Sequence, residues 1–128
     1  MQILLDTCTF LWVTIDAPEL SGKAKACFRN PENTIYFSPV SAWEIIVKNR
    51  LGKLPLPENP AEFISRQCRN HKIEFLELDI LAVYQLETLP DLHRDPFDRI
   101  LICQAMHKRL TILTSDKMIS LYSVDTLW

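Results

Sequence analysis

Short apolar runs alternate along this sequence with longer segments that have the periodicity of helices. The runs expected to form strands lie at 2–5, 34–37, 72–78 and 110–114, with an edge strand within 121–128. Strands separated by helices pair in parallel, and the helices then cover both faces of the sheet. The sequence therefore predicts an α/β fold, a three-layer α/β/α sandwich with a central, mostly parallel sheet of four to five strands.

The helix expected over residues 38–52 has the strongest sequence pattern. Ser41 and Glu44 have the spacing of a capping box, Glu44 and Lys48 are four residues apart, and Gly52 suits a helix end. The other predicted helices lie at 7–15, 19–29, 60–70, 80–89 and 96–109, the last three with Asn59, Asp79 and Asp95 as N-caps.

The length of 128 residues is typical of one domain, so residues 1–128 are expected to form a single domain. Apolar residues make up 48% of the chain, and no apolar run approaches the length of a transmembrane helix. The N-terminus lacks a basic segment followed by a long apolar run, so we expect a cytoplasmic protein without a membrane segment. The formal net charge of -2 argues against a protein that holds nucleic acid by bulk attraction, but not against one that cuts it.

The four cysteines stand at positions 8, 27, 68 and 103 and form no C-x-x-C pair. The three histidines are equally scattered, and no pair has metal-ligand spacing. We therefore expect reduced, mostly buried thiols rather than a zinc or redox site.

Acidic residues follow the predicted strands at the points where those strands end. Asp6 and Asp116 each come after a short buried strand, and Glu44 lies in the helix that follows strand 34–37. Because the carboxyl ends of parallel strands meet at one edge of a sheet, these side chains are expected to lie close together. Asp6 and Asp116 can instead cap helices. Glu44 can complete its capping box or pair with Lys48.

The stretch HRDPFDRI carries two aspartates around one proline. Asp95 and Pro96 fit the N-cap and the first position of a helix, which accounts for Asp95. Asp98 falls one turn into a largely apolar helix, where a buried charge needs a partner. Arg94, Arg99 or a metal ion could supply that partner.

Taken together, four carboxylates predict a site for a divalent cation. We call Asp6, Glu44, Asp98 and Asp116 the acidic cluster. Carboxylates a few ångströms apart repel one another unless a cation lies between them, and oxygen ligands without Cys or His favour Mg²⁺ or Mn²⁺. Such an ion activates water and stabilises a leaving oxyanion, which predicts hydrolysis of phosphodiester bonds. The nearby cations, which either orient a nucleic-acid backbone or remain solvated, are Lys48, Arg94, Arg99 and Lys117, with Arg99 the strongest candidate to support the site.

Motifs that contain these acids stand in order along the whole chain. They are LLDT near the N-terminus, SxWEIxxK in the middle, HRDPFDRILICQA and LTSD further on, and a closing YxVxxLW. This ordered set resembles the PIN-domain ribonucleases, in particular the VapC-type toxins of bacterial toxin-antitoxin systems.

The resemblance implies that the acidic cluster binds Mg²⁺ or Mn²⁺ and that the protein cleaves RNA endonucleolytically with an activated water. It also implies that Asp95 is an accompanying acid and that the Thr114 hydroxyl supports the last carboxylate. It further implies a homodimer and a cognate antitoxin whose C-terminal segment lies across the active-site groove. Cys8 departs from the family pattern, since relatives often have His there, but the acidic cluster is untouched.

Three other kinds of protein share part of this pattern. A phosphatase of the haloacid-dehalogenase kind also begins with a strand ending in Asp, but it needs a second Asp where Cys8 stands. A receiver domain needs an acidic pair near the first strand, where this chain has a single acid. A non-catalytic PIN-like binding module is the third alternative, and the intact acidic cluster argues against it.

Aromatic side chains flank the motifs at Trp12, Trp43 and Phe97. Large aromatic residues near helix starts usually pack inward. We therefore expect these three in the core rather than in contact with RNA.

Overall fold

The centre of the protein is a sheet of five short strands. The computed structural model describes residues 1–128, and its strands are β1 (Gln2–Leu5), β2 (Thr34–Phe37), β3 (Glu74–Phe75), β4 (Thr111–Leu113) and β5 (Asp125–Leu127). All neighbouring strands pair in parallel, in the order β3-β2-β1-β4-β5. The prediction of a central parallel sheet is confirmed, although the strand expected over 72–78 pairs at two residues only.

Helices connect the strands on both sides of the sheet. They are α1 (Thr7–Thr14), α2 (Gly22–Arg29), α3 (Pro39–Arg50), α4 (Pro60–Asn70), α5 (Ile80–Tyr84) and α6 (Pro96–Lys108), with 3-10 turns at Gln85–Glu87 and Ile119–Leu121. The helix expected over 80–89 is thus a short α-helix that continues as a 3-10 turn. None of the helices combines the length and the apolar character needed to cross a membrane.

Strand β1 contributes side chains to two separate apolar cores, because alternate residues of a strand face opposite sides of the sheet. Ile3 and Leu5 pack in one core with side chains of α1, α2 and α4. Leu4 packs in the other core, mainly with side chains of α6. All three residues are fully buried. This alternation produces the three layers of the α/β/α sandwich.

The caps of three helices confirm their predicted starts. The side chains of Asn59, Asp79 and Asp95 each accept a hydrogen bond from a backbone N–H in the first turn of α4, α5 and α6, respectively. Gly52 follows the end of α3 with a φ of 73°, a left-handed conformation that glycine adopts without strain.

Helix α3 begins where the sequence predicts, but without the predicted capping box. Its N-cap is Ser38, whose hydroxyl accepts the Val40 N–H at 3.1 Å, and Pro39 occupies the first turn. Ser41 and Glu44 are consequently inside the helix with buried side chains, so they do not form a capping box.

A buried glutamine joins this helix start to α6. The Ser38 hydroxyl donates to the Gln104 side-chain oxygen, and the Gln104 amide nitrogen donates to the Glu77 carbonyl at 3.3 Å. Both side chains are buried, and each polar contact therefore satisfies a group that water cannot reach. The N-terminal end of α3 is in this way fixed against α6.

The end of α6 yields a prediction about stability. Arg109 is the C-cap, is exposed, and has a left-handed backbone with φ 56° and ψ 50°. That conformation costs a non-glycine residue about 1–2 kcal/mol, and a glycine at this position would avoid the cost. Part of the stability gained in this way is lost again, because glycine has greater conformational freedom in the unfolded chain. We expect Arg109→Gly to raise the free energy of unfolding by about 0.5–1 kcal/mol in urea titrations.

The neighbouring residue provides the control for this substitution. Lys108 is the last helical residue of α6, so Lys108→Gly is expected to lower the free energy of unfolding by up to about 1 kcal/mol. A destabilised Arg109→Gly protein would contradict the assigned cap.

Candidate functional site

The carboxylates of the acidic cluster come from four elements that meet at the carboxyl edge of the sheet. Asp6 directly follows β1, Asp116 follows β4, Glu44 lies in the second turn of α3, and Asp98 lies in the first turn of α6. Strand β1 lies between β2 and β4, so chain segments that leave all three strands emerge side by side. This is the place where strand order reverses and where open α/β sheets bind ligands.

Asp6 is buried and held by two donors. One of its carboxylate oxygens accepts the Thr9 N–H at 2.8 Å, which makes Asp6 the N-cap of α1, and the other accepts the Thr114 hydroxyl. Burial raises the pKa of Asp6, these hydrogen bonds oppose the rise, and the charge of Asp116 adds to it. Asp6 therefore caps α1, the simpler role considered for it, and its buried carboxylate is also repelled by the negative charge of Asp116.

Glu44 is buried and already paired. Its Oε1 accepts a hydrogen bond from the Thr7 hydroxyl at 2.7 Å, and its Oε2 forms an ion pair with Lys48 one turn along α3. The hydrogen bond to Glu44 is the largest cause of a raised pKa at Lys48. Lys48 thus balances one charge of the acidic cluster, as the sequence allowed.

Asp98 is the acid whose charge is least well compensated. Its pKa is raised to about 6, mainly by burial and next by the neighbouring charge of Asp95, while a hydrogen bond from His93 opposes the rise. The charges of Asp116 and Asp6 also raise this pKa, which places all these carboxylates within electrostatic reach of one another. Asp6 and Asp116 of the acidic cluster therefore lie near enough to Asp98 for their charges to act on it.

The structure gives Asp98 a partner that was not among the alternatives from the sequence. Neither Arg94 nor Arg99 forms a salt bridge with it; the Asp98 Oδ2 lies 3.2 Å from the His93 Nε2. Arg99 instead donates to the Pro90 carbonyl at 2.8 Å. Of the partners that the sequence left open for Asp98, the two arginines are therefore ruled out in this structure, and the Arg99 side chain is directed towards the preceding loop.

Asp95 and Thr114 support the cluster in specific ways. The Asp95 side chain accepts the Asp98 N–H at 3.0 Å and so starts α6 as expected. The Thr114 hydroxyl donates to Asp6 and accepts the Asp116 N–H at 3.0 Å. Thr114 therefore bonds the carboxylate of Asp6 rather than that of Asp116, and it fixes Asp116 through its backbone.

His93 and Tyr122 were missed as site residues by the sequence analysis. His93 stands five residues before Asp98, on the other side of the turn at Asp95 and Pro96, so its proximity could have been read from the motif itself. Tyr122 is 29 residues from His93, and no local pattern indicates that the two side chains meet.

The aromatic side chains only partly match expectation. Trp43 is 59% exposed, so the prediction that it packs in the core is wrong. The buried face of α3 is the one that carries Glu44 and Ile45, which leaves Trp43 facing outwards. Its ring packs edge-on against Phe97, with centroids 4.9 Å apart. Trp12 is half-buried against the terminal tryptophan.

The donors of the acidic cluster fit a hard divalent cation by their chemistry. They are all carboxylates, and part of the pKa rise at Asp6 and Asp98 comes from other acids, a repulsion that a cation relieves. Desolvation and then the charges of Asp6 and Glu44 raise the pKa of Cys8 to about 11, so its thiol adds no thiolate ligand at neutral pH. In the conformation described, no three acid, imidazole or thiol side chains lie close enough together to hold one metal ion.

The fold and the acids define a class of protein, an α/β/α domain with an acidic site at the carboxyl edge of a parallel sheet. The family follows from the sequence. The sequence model of the family described as "PIN domain" matches residues 3–125. The chain therefore belongs to the PIN domain family, as its motifs predicted. The prediction that residues 1–128 form a single domain stays a prediction.

A curated relative and several solved structures are similar to this chain. Ribonuclease VapC16 of Mycobacterium tuberculosis is 35% identical over 63 residues, which are 49% of this chain and 45% of VapC16, so the match spans less than half of that relative. VapBC2 from Rickettsia felis, bound to a promoter DNA fragment, superposes with a TM-score of 0.73 at 15% identity and covers 100% of this chain and 99% of that one. DNA-bound VapBC from Salmonella typhimurium superposes with a TM-score of 0.72 at 16% identity and covers 99% of this chain and 97% of that one. At these identities the structures establish the fold.

The role of Thr114 yields a prediction about stability. Thr114→Val keeps the shape of the side chain but removes the donor to Asp6 and the acceptor of the Asp116 N–H. Because Thr114 is buried, we expect the free energy of unfolding to fall by about 1–3 kcal/mol. Urea titration measures the loss.

Thr111→Val on the same strand is the matched control, since the Thr111 hydroxyl has no comparable contact with an acid. It should change stability by no more than about 0.5 kcal/mol. Equal stability of Thr114→Val and wild type would show that the hydroxyl does not hold the acidic cluster.

Proposed function

We propose that this protein is a metal-dependent endoribonuclease that hydrolyses RNA phosphodiester bonds and acts as the toxin of a toxin-antitoxin pair. The observation that supports the proposal is that a PIN domain carries four carboxylates on elements that meet at the carboxyl edge of its sheet, with the pKa of Asp98 raised to about 6 partly by Asp116 and Asp6. The name of the relative, Ribonuclease VapC16, supports the activity.

The residues that would hold Mg²⁺ or Mn²⁺ are Asp6, Glu44, Asp98 and Asp116. When bound, such an ion lowers the pKa of a water molecule and stabilises the leaving oxyanion of the phosphodiester. Asp6 is already oriented by Thr9 and Thr114, so its position needs little change. Glu44 must rotate away from Lys48 or share its second oxygen, because both of its oxygens are engaged.

Other residues near the cluster would bind and orient the RNA. Arg94 and Lys117 are exposed beside Asp95 and Asp116, where their charges can contact backbone phosphates. Lys48, released from Glu44, is half-exposed and can do the same. Arg99 is excluded from this role by its bonds to the loop before α6, so we assign it to support of the site instead.

We also propose that the protein forms a homodimer, is inhibited by a cognate antitoxin whose C-terminal segment lies across the groove, and works in the cytoplasm. Toxin-antitoxin complexes among the similar structures support the antitoxin. The side chains of Ile80, Leu81 and Tyr84 on α5 are all more than half exposed, and a protein partner that covers them would bury apolar surface. Four free cysteines suit a reducing compartment.

Cleavage of RNA by single variants tests this proposal. We expect purified wild-type protein to cleave a panel of structured, end-labelled RNAs with Mn²⁺, and Asp6→Asn or Asp98→Asn to slow cleavage at least about 100-fold through lost charge stabilisation. The rates are measured from gel-resolved products.

Asp16→Asn is the matched control for these changes. Asp16 is an exposed acid beyond the far end of α1, is paired with Lys25, and has a φ of 48° that asparagine also tolerates. It should cleave at the wild-type rate. Equal cleavage by all four proteins would exclude the metal site, and no cleavage by any would favour the alternative of a non-catalytic binding module.

A further inference from the structure

The side chain of His93 links Asp98 to a buried tyrosine outside the acidic cluster. Its Nε2 lies 3.2 Å from the Asp98 Oδ2, and its Nδ1 lies 2.8 Å from the Tyr122 hydroxyl. The side chains of His93 and Asp98 are 11% and 17% exposed, and Tyr122 is buried. In such a setting both ring nitrogens need partners, and both have them.

The partners of the Tyr122 hydroxyl determine which nitrogen of His93 carries the proton. The backbone N–H of His93 donates to this hydroxyl at 3.2 Å, and the Arg99 Nη1 donates to it at 3.0 Å. Both of its acceptor positions are therefore filled, and its own proton is left for the His93 Nδ1. An Nδ1 that accepts leaves the N–H at Nε2, where it faces the Asp98 carboxylate.

The tyrosine end of this chain of hydrogen bonds is itself fixed. Arg99 also donates to the Pro90 and Leu89 carbonyls, at 2.8 and 3.3 Å, and pairs with Asp91 at 3.2 Å. The arginine consequently has few alternative positions. The orientation of the His93 ring is thus set by the loop before α6 and by the 3-10 turn before Tyr122.

We propose that His93 is a positioning residue for the metal-binding face of Asp98. By donating to Oδ2, it fixes the rotation of the carboxylate, and it leaves Oδ1, which accepts no hydrogen bond from the protein, available to the divalent ion. Partners that hold a ligating carboxylate typically contribute about 10–100-fold to metal affinity. The inference rests on the proposed function, because it assigns Asp98 as a ligand.

Two substitutions separate positioning from mere support of the fold. The amide nitrogen of His93→Gln falls near the position of Nε2, so it can still donate to Asp98. The amide of His93→Asn falls near Nδ1, so it keeps the contact with Tyr122 and loses the one with Asp98. Both variants lose one of the two contacts, so a structural role alone would affect them alike.

Isothermal titration of the full-length proteins with Mn²⁺ measures the difference. We expect the Mn²⁺ Kd of His93→Asn to rise about 10-fold or more, while His93→Gln keeps most of the wild-type affinity. Tyr122→Phe should also weaken Mn²⁺ binding, because the His93 tautomer is no longer fixed, and the double variant Tyr122→Phe/His93→Asn should bind no more weakly than His93→Asn alone.

The outcomes distinguish this inference from the proposed function. If Asp98→Asn loses Mn²⁺ binding but His93→Asn binds Mn²⁺ as tightly as the wild type, the role of His93 is overturned and the metal site stands. Equal weakening in His93→Asn and His93→Gln would overturn it as well. Absence of Mn²⁺ binding by the wild type would overturn both the metal site and the positioning role.

Discussion

The parallel pairing of β1 with β4 is the contact on which the candidate site depends. It places Leu5 beside Leu113, so the next residues of the two segments, Asp6 and Thr114, also lie side by side. The hydroxyl of Thr114 then bonds the carboxylate of Asp6 and holds the backbone of Asp116. A shift of this register would separate two acids and remove the donor that stabilises one of them. The same strand pair therefore belongs to the fold and positions two acids of the cluster, Asp6 and Asp116.

Three of the four carboxylates of the cluster are compensated by different contacts. Asp6 has two hydroxyl or amide donors, Glu44 has Lys48, and Asp98 has His93. The compensation is incomplete at Asp98, whose pKa in the folded protein is raised to about 6, above the usual value for an aspartate. A raised pKa of an acid means that its contribution to stability is present at low pH and is lost as the pH rises through about 6. A cation at this edge of the sheet would reverse that loss, which connects metal binding to stability.

Features determined by neighbouring residues were predictable from the sequence, and features determined by distant contacts were not. Asp95 with Pro96 was recognised as a helix start because capping depends on a few consecutive residues. The capping box of Ser41 and Glu44 was a wrong prediction, because both residues have the required spacing but lie inside α3 with buried side chains. The contact between His93 and Asp98 was not predicted, because the position of Tyr122, far along the chain, directs both His93 and Arg99. The placement of Asp6 and Asp116 at one edge of the sheet was predictable because parallel topology alone places strand ends together.

The central claim is that Asp6 and Asp98 bind one divalent ion together with the other carboxylates of the cluster. The most direct test is a crystal of the protein soaked in Mn²⁺, with anomalous differences collected to locate the ion. The account predicts a Mn²⁺ peak between β1 and the first turn of α6, coordinated by carboxylate oxygens of both aspartates. Anomalous density that is absent from this edge, or that lies only on acids elsewhere such as Asp16, would contradict it.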